Sequence, residues 1–300
     1  MFGAMRLTTT AAALAIAAFV GTSISACAGG THPIVVELYT SQGCSSCPPA
    51  DAILGKLANR PGIIALSLPV TYWDMLGWKD TLASDTNTRR QKAYAAALKR
   101  GGVYTPQMIV DGTGDVVGSH EQEVNAAIDA DIKARDDADV SLEAARYELM
   151  DVGNYSKPDA VSALALRRQK TDALLAHADW SIDVGLSQTP KNLHVDIAAA
   201  PRMLRRSKLN ATIWMCRIRS SVTVRIKGGE NSGRTATYRN VVADMNSIGQ
   251  WTGESVSLDV PRAGSQIPTQ GGVVVLVQQG GYGRMIGAAY LGHIDYYAEQ

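Results

Sequence analysis

Cys44 and Cys47 lie in the stretch from Glu37 to Leu54, ELYTSQGCSSCPPADAIL, separated by two serines and followed at once by Pro48 and Pro49. Proline is tolerated in the first turn of a helix and not in its interior, so the two prolines put a helix start at about Ser46 or Cys47. Beside a helix N-terminus the thiolate is favoured by the helix dipole and by free backbone N–H groups, and such cysteines titrate at about 3.5 to 7.5. The thiolate is the form that attacks disulfides, so the spacing suits a dithiol/disulfide redox pair. Cys44, ahead of the helix, is expected to be the exposed, attacking thiol, and Cys47 the buried, resolving one.

Other chemistries of two cysteines give different expectations. A structural zinc site needs four ligands. Only one C-x-x-C pair is present, and His32, His120, His177, His194 and His293 show no ligand spacing, so no zinc site is expected. Two thiolates suffice for Cu(I), which favours soft ligands, so a Cu(I)-binding or metallochaperone role stands as an alternative. An inert, structural disulfide stands as another, although so small a loop removes little chain entropy.

The compartment decides which of these can operate. A basic Arg6, a short apolar run from Ala11 to Val20 and then small residues follow the plan of a secretory signal peptide over residues 1–28. The run is too short to span a bilayer as a helix. The mature chain is therefore expected outside the cytoplasm, periplasmic or secreted, where disulfides persist. Ala26-Cys27-Ala28 reads as an ordinary cleavage site, whereas Ile24-Ser25-Ala26-Cys27 resembles the lipobox of bacterial lipoproteins, which would make Cys27 a lipid anchor. The 300 residues carry a formal net charge of +1, which offers no basic surface for nucleic acid. No cofactor is expected.

Elements must hold the cysteines in place, and the hydrophobic pattern supplies them. With 46% hydrophobic residues the chain can bury a sizeable core and has the length for two domains. PIVVELY and GIIALSLPV read as buried strands, PADAILGKLAN and NTRRQKAYAAALKR as helices. PQMIVDGTGDVVG reads as two short strands about a turn, and HEQEVNAAIDADIKA as a closing helix. The order is strand, helix, strand, helix, strand, strand, helix. Beyond the polar run KARDDADV, the segments LHVDIA, TIWMCRIR, SVTVRIK, SVSLDV and VVVLVQQ read as short strands of an antiparallel, sandwich-like unit. SALALRRQKTDALLAHA fits a helix but stays unassigned. The fold class is thus α/β from about Thr31 to Asp136, with a β-rich domain over residues 138–300. In ATIWMCRIR, alternation puts Ile213, Met215, Arg217 and Arg219 on one face and Trp214, Cys216 and Ile218 on the other, so Cys216 is expected to be a buried, inert thiol. GGENSGRT, residues 228–235, falls short of a phosphate-binding loop because Arg234 stands in the lysine's place; a hairpin loop is expected.

A strand, a C-x-x-C motif, a helix, and later an X-Pro that opens a β-hairpin before a last helix resemble the thioredoxin fold. More narrowly, VVELYTSQGCSSCPPAD, YWDMLGWKD and GVYTPQMIVDG are similar to a bacterial secreted, thioredoxin-like family of uncharacterised function, a resemblance that runs on through GGENSGRT and YRNVV. It implies a thioredoxin-like N-terminal domain in which the Thr105-Pro106 bond is cis and Pro106 faces the cysteines. By analogy it implies an extracytoplasmic thiol-disulfide oxidoreductase with Cys44, Cys47 and Pro106 as catalytic residues. Its partners would be protein thiol and disulfide clients and an unidentified redox partner. The chain departs from simple thioredoxins in the insertion from Val70 to Asp85. Its Tyr72, Trp73 and Trp78 read either as a wall that binds a client together with Thr105, or as aromatics that close the core.

Overall fold

A computed structural model of the chain describes residues 32–150, 180–189, 191–201, 209–261 and 271–292. The signal segment with Cys27 and the unassigned segment 162–178 lie outside the described residues. The fold is mixed α/β around one large sheet. Its first half is built from β1 (Ile34–Thr40), α1 (Pro48–Leu57), β2 (Ile63–Pro69), α2 (Asp85–Ala97), β3 (Gln107–Val110), β4 (Gly114–Val117) and α3 (Glu121–Met150). That is the element order the sequence leads one to expect. β1 runs parallel to β2 and antiparallel to β3, and all seven of its residues are buried, as a central strand covered on both faces requires.

Local chemistry sets the element ends. Prolines occupy the first two helical positions of α1, where a missing N–H costs nothing. Ser84 caps α2, its hydroxyl accepting from Asn87 N–H at 3.1 Å. Asp111 and Gly112, both at positive φ, form the tight turn between β3 and β4. One face of β1 and β3 packs Ile34, Val36, Leu38 and Met108 against Leu54 of α1 and Ile128 of α3.

Beyond α3 come β5 (Val184–Gln188), β6 (Asn192–Ile197), β7 (Ala211–Arg225), β8 (Thr235–Trp251), β9 (Val256–Pro261), β10 (Gly271–Gln279) and β11 (Met285–Gly292). β5, β6 and β9 form a separate antiparallel sheet of three strands. β7, β8, β10 and β11 are also antiparallel, yet they continue the first sheet, in the order β11-β10-β7-β8-β2-β1-β3-β4. The junction is a single parallel pairing, Ser67 of β2 with Val241 of β8. It covers an edge of β2 that would otherwise present unpaired backbone groups. The alternation read in β7 is observed: Ile213 and Met215 enter the core under the three-stranded sheet. Cys216 and Ile218 enter a second core with Tyr39, Leu66, Tyr94 and Leu276.

Candidate functional site

The Ser41–Ser46 loop leaves the end of β1, between β2 and β3 inside the sheet, and carries the first cysteine. Cys44 N–H closes a turn on Ser41 O at 3.2 Å, and Cys47 N–H a second on Cys44 O at 3.2 Å. The two cysteines are joined by a disulfide, with Cα atoms 5.4 Å apart. Cys47 is the N-cap of α1. Since Pro48 and Pro49 have no N–H, Ala50 is the first helical residue able to donate. Ser46 Oγ lies 3.3 Å from Cys44 Sγ.

Both cysteines are fully buried, at 0% exposure. This corrects the expectation that Cys44 is the exposed thiol, and the reason is cover from segments remote in sequence. Trp73 stands against Gly43, where a side-chain carbon would come within 3.2 Å of Trp73 Cβ. The Trp73 indole N–H donates to Thr105 Oγ1 at 2.8 Å, and the Thr105-Pro106 bond is cis. Thus Trp73 ties the cysteine loop to the turn that carries Pro106. The Trp78 indole N–H donates to Gln42 Oε1 at 2.8 Å. Tyr72 and Trp73 also pack against the second core, so these aromatics close the core while Trp73 and Trp78 hold the cysteine loop at Gly43 and Gln42. At the rim, Met75 is 85% exposed and Leu76 47%.

A third cover comes from the loop between β7 and β8, the hairpin turn expected from GGENSGRT. Asn231 Nδ2 donates to Gln42 O at 3.1 Å and to Cys44 O at 2.7 Å. Glu230 Oε2 accepts from Ser45 N–H at 3.0 Å. The hydrogen bonds from Ser45 hold the Glu230 carboxyl below the usual carboxylate range. Sequence reasoning missed both residues, because a Gly-rich turn carries no sign of what its tip touches 187 positions away.

Acidic groups brace the loop from beneath. Asp80 accepts from Gln42 N–H at 2.8 Å, and Asp51 accepts from Thr40 Oγ1 at 2.8 Å. Burial, opposed by the Thr40 hydrogen bond, pushes the Asp51 carboxyl up to about 8. A carboxyl whose folded pKa is raised binds its proton more tightly folded than unfolded, so stability falls as pH climbs from about 4 to about 8. Asp51→Asn keeps the Thr40 bond and is expected to remove that fall, a gain of a few kcal/mol at pH 8 and little at pH 4. Urea unfolding of the oxidised protein at both pH values measures it; an unchanged pH profile contradicts the assignment.

Among the described residues no group of three or more His, Cys, Asp or Glu side chains converges as a metal site. Cys216 is the free cysteine among them, and burial pushes its thiol far up.

A family model described as a protein of unknown function (DUF1223) matches residues 35–171 and 150–278. A crystal structure of an Agrobacterium tumefaciens protein is 27% identical, with a TM-score of 0.64 over 91% of this chain and 100% of that one. A curated Archaeoglobus fulgidus protein, described as a probable thioredoxin, is 38% identical over 37 residues. That match spans 12% of this chain and 41% of the length of the relative.

Proposed function

We propose, since the chain belongs to the DUF1223 family of unknown function and its own site must therefore supply the reading, that it is an extracytoplasmic thiol-disulfide oxidoreductase acting on protein clients through Cys44 and Cys47. The observation that carries the proposal is the disulfide between these two cysteines at the start of α1. In this reading residues 31–136 form a thioredoxin-like domain and residues 138–300 a β-rich partner domain. The short match to a probable thioredoxin supports it.

The chemistry balances as follows. The Cys44 thiolate attacks one sulfur of a client disulfide, and the other client sulfur leaves as a thiolate that takes up a proton. Cys47, deprotonated, then attacks Cys44 Sγ, reforms the internal disulfide and releases the second client thiol. Two electrons pass to the client; the same steps in reverse oxidise it. The potential of the pair sets the direction.

The burial of both cysteines favours a second reading, a structural disulfide on a binding scaffold. Trapping separates the two. With Cys47→Ser the second step is blocked, so Cys44-linked mixed disulfides should accumulate in cells and vanish under reducing conditions. A Cys47→Ser protein that folds and traps no partner speaks for the scaffold.

A further inference from the structure

The loop between β7 and β8 does more than join two strands. Its tip reaches the cysteine loop with matched donors and acceptors: the Glu230 carboxylate takes Ser45 N–H, and the Asn231 amide donates to the carbonyls of Gln42 and Cys44. These are backbone groups on either side of the attacking sulfur. Asn231 is 2% exposed, and its Oδ1 is buried without a hydrogen-bond partner. A buried, half-satisfied amide is costly to keep, which argues that it stands in a place shaped for something else.

The backbone of the tip is fitted to the same surface. A side-chain carbon at Gly228 would fall 2.9 Å from Gly77 O, and one at Gly229 would fall 3.3 Å from Trp78 Cβ and 3.6 Å from Gly43 Cα. Gly229 and Gly233 hold positive φ, which lets the tip turn flat. Behind it, among the described residues, a two-stranded arm pairs Ser221–Arg225 of β7 with Thr235–Arg239 of β8, past Arg219, where the described β7–β10 pairing ends. The register irregularity at Arg217/Ile218 lies near the base of the arm.

We propose that the 228–233 tip is a built-in occupant of the client site, and that an extended client segment displaces it to reach Cys44. The client would offer what the tip offers: an oxygen acceptor for Ser45 N–H and an amide donor for the carbonyls of Gln42 and Cys44. A backbone carbonyl and a backbone N–H meet both needs, so the partner is an extended polypeptide recognised mainly by its main chain. Exposed Met75 and Leu76, on the insertion that meets the tip through Gly77 and Trp78, supply apolar contact for its side chains. The proposal rests on the oxidoreductase reading for the word client, but the device itself is an accessibility switch.

Reduction of the disulfide by dithiothreitol tests the switch without any client. In the full chain, Asn231→Ala removes two hydrogen bonds and should speed reduction about tenfold, a ratio typical of losing bonds of that net strength. Gly228→Ala, which lifts the tip by collision with Gly77 O, should do the same by a different route, and Glu230→Gln should act more weakly. A variant whose residues 228–233 are replaced by Asn-Gly should be reduced fastest. Adding a synthetic peptide of residues 227–234 should slow that variant back toward the parental rate, because the peptide refills the groove. If the folded Asn231→Ala, Gly228→Ala and tip-shortened proteins are all reduced at the parental rate, the proposal is overturned. If the variants are fast but the peptide does not slow the shortened one, the tip is a lid and not a peptide mimic, which overturns the recognition claim. Failure of the trapping experiment with Cys47→Ser leaves these rates unaffected, so the two readings fail separately.

Discussion

Replacing Arg90 by methionine is expected to cost the folded protein about 3–5 kcal/mol, the usual penalty for stranding one charge of a buried pair. Arg90 is 3% exposed and Glu37 1%. The guanidinium donates from Nε to Glu37 Oε1 at 2.6 Å and from Nη2 to Glu37 Oε2 at 3.2 Å. It also donates to Gln278 Oε1 of β10 at 3.1 Å, and it stacks on Tyr94, Trp214 and Tyr282 with its centre 5.1 to 5.4 Å from each ring. The pair therefore binds the centre of the first half of the sheet to the strands of the second. Urea unfolding of Arg90→Met, Glu37→Gln and the double variant forms the test. The double variant should recover most of the loss, since no unpaired charge remains. A single-variant cost under about 1 kcal/mol would show that Glu37 finds water or another partner.

The second large effect is kinetic. In the reduced, native protein at about pH 6, iodoacetamide should modify Cys44 at least about a hundredfold faster than Cys216, because an ordinary thiol is almost wholly protonated there. Cys216 is sealed in the second core with its thiol pushed still further up. Cys44 has the α1 N-terminus beside it, and on the proposal above the 228–233 tip is displaced to open its route to solvent. Peptide mapping by mass spectrometry reads the sites directly. Equal, slow labelling of Cys44, Cys47 and Cys216 would move the weight to a structural disulfide.

The elements around the cysteines were legible because each has its own local signal. PIVVELY is apolar but for Glu37 and fills an interior strand; the two prolines after Cys47 mark the start of α1; the alternation in TIWMCRIR assigns both faces of β7. What could not be read depends on pairings far apart in sequence. Nothing local tells β8 to lie beside β2, and the junction is one pairing, Ser67 with Val241. Arg90 sits in a polar stretch read only as a helix, yet α2 turns Asn87, Arg90 and Gln91 inward, toward a glutamate in an otherwise apolar strand. Periodicity of apolar residues is silent about such a polar interior face.

The site was half legible in the same sense. C-S-S-C before two prolines names the pair and its helix from sequence alone. Exposure depends on what lies above: the aromatics of the insertion read as a wall beside the pair and do lie against its loop, whereas the β7–β8 tip gives no local sign of its docking place. Asp111 and Arg135 follow the same rule. Arg135 closes a buried bond to Asp111 Oδ1 at 2.6 Å and also donates to Met285 O at 3.0 Å, joining α3 and β11 to the β3–β4 turn. In the sequence it stands in what reads as a polar boundary.

The reduction potential of the Cys44/Cys47 couple tests the central claim most directly. It is obtained by equilibrating the full chain in graded dithiothreitol or glutathione and counting free thiols. An exchange catalyst is expected to fall within about −120 to −270 mV, the span of known exchange proteins. A value below about −300 mV, where structural disulfides lie, would contradict the account.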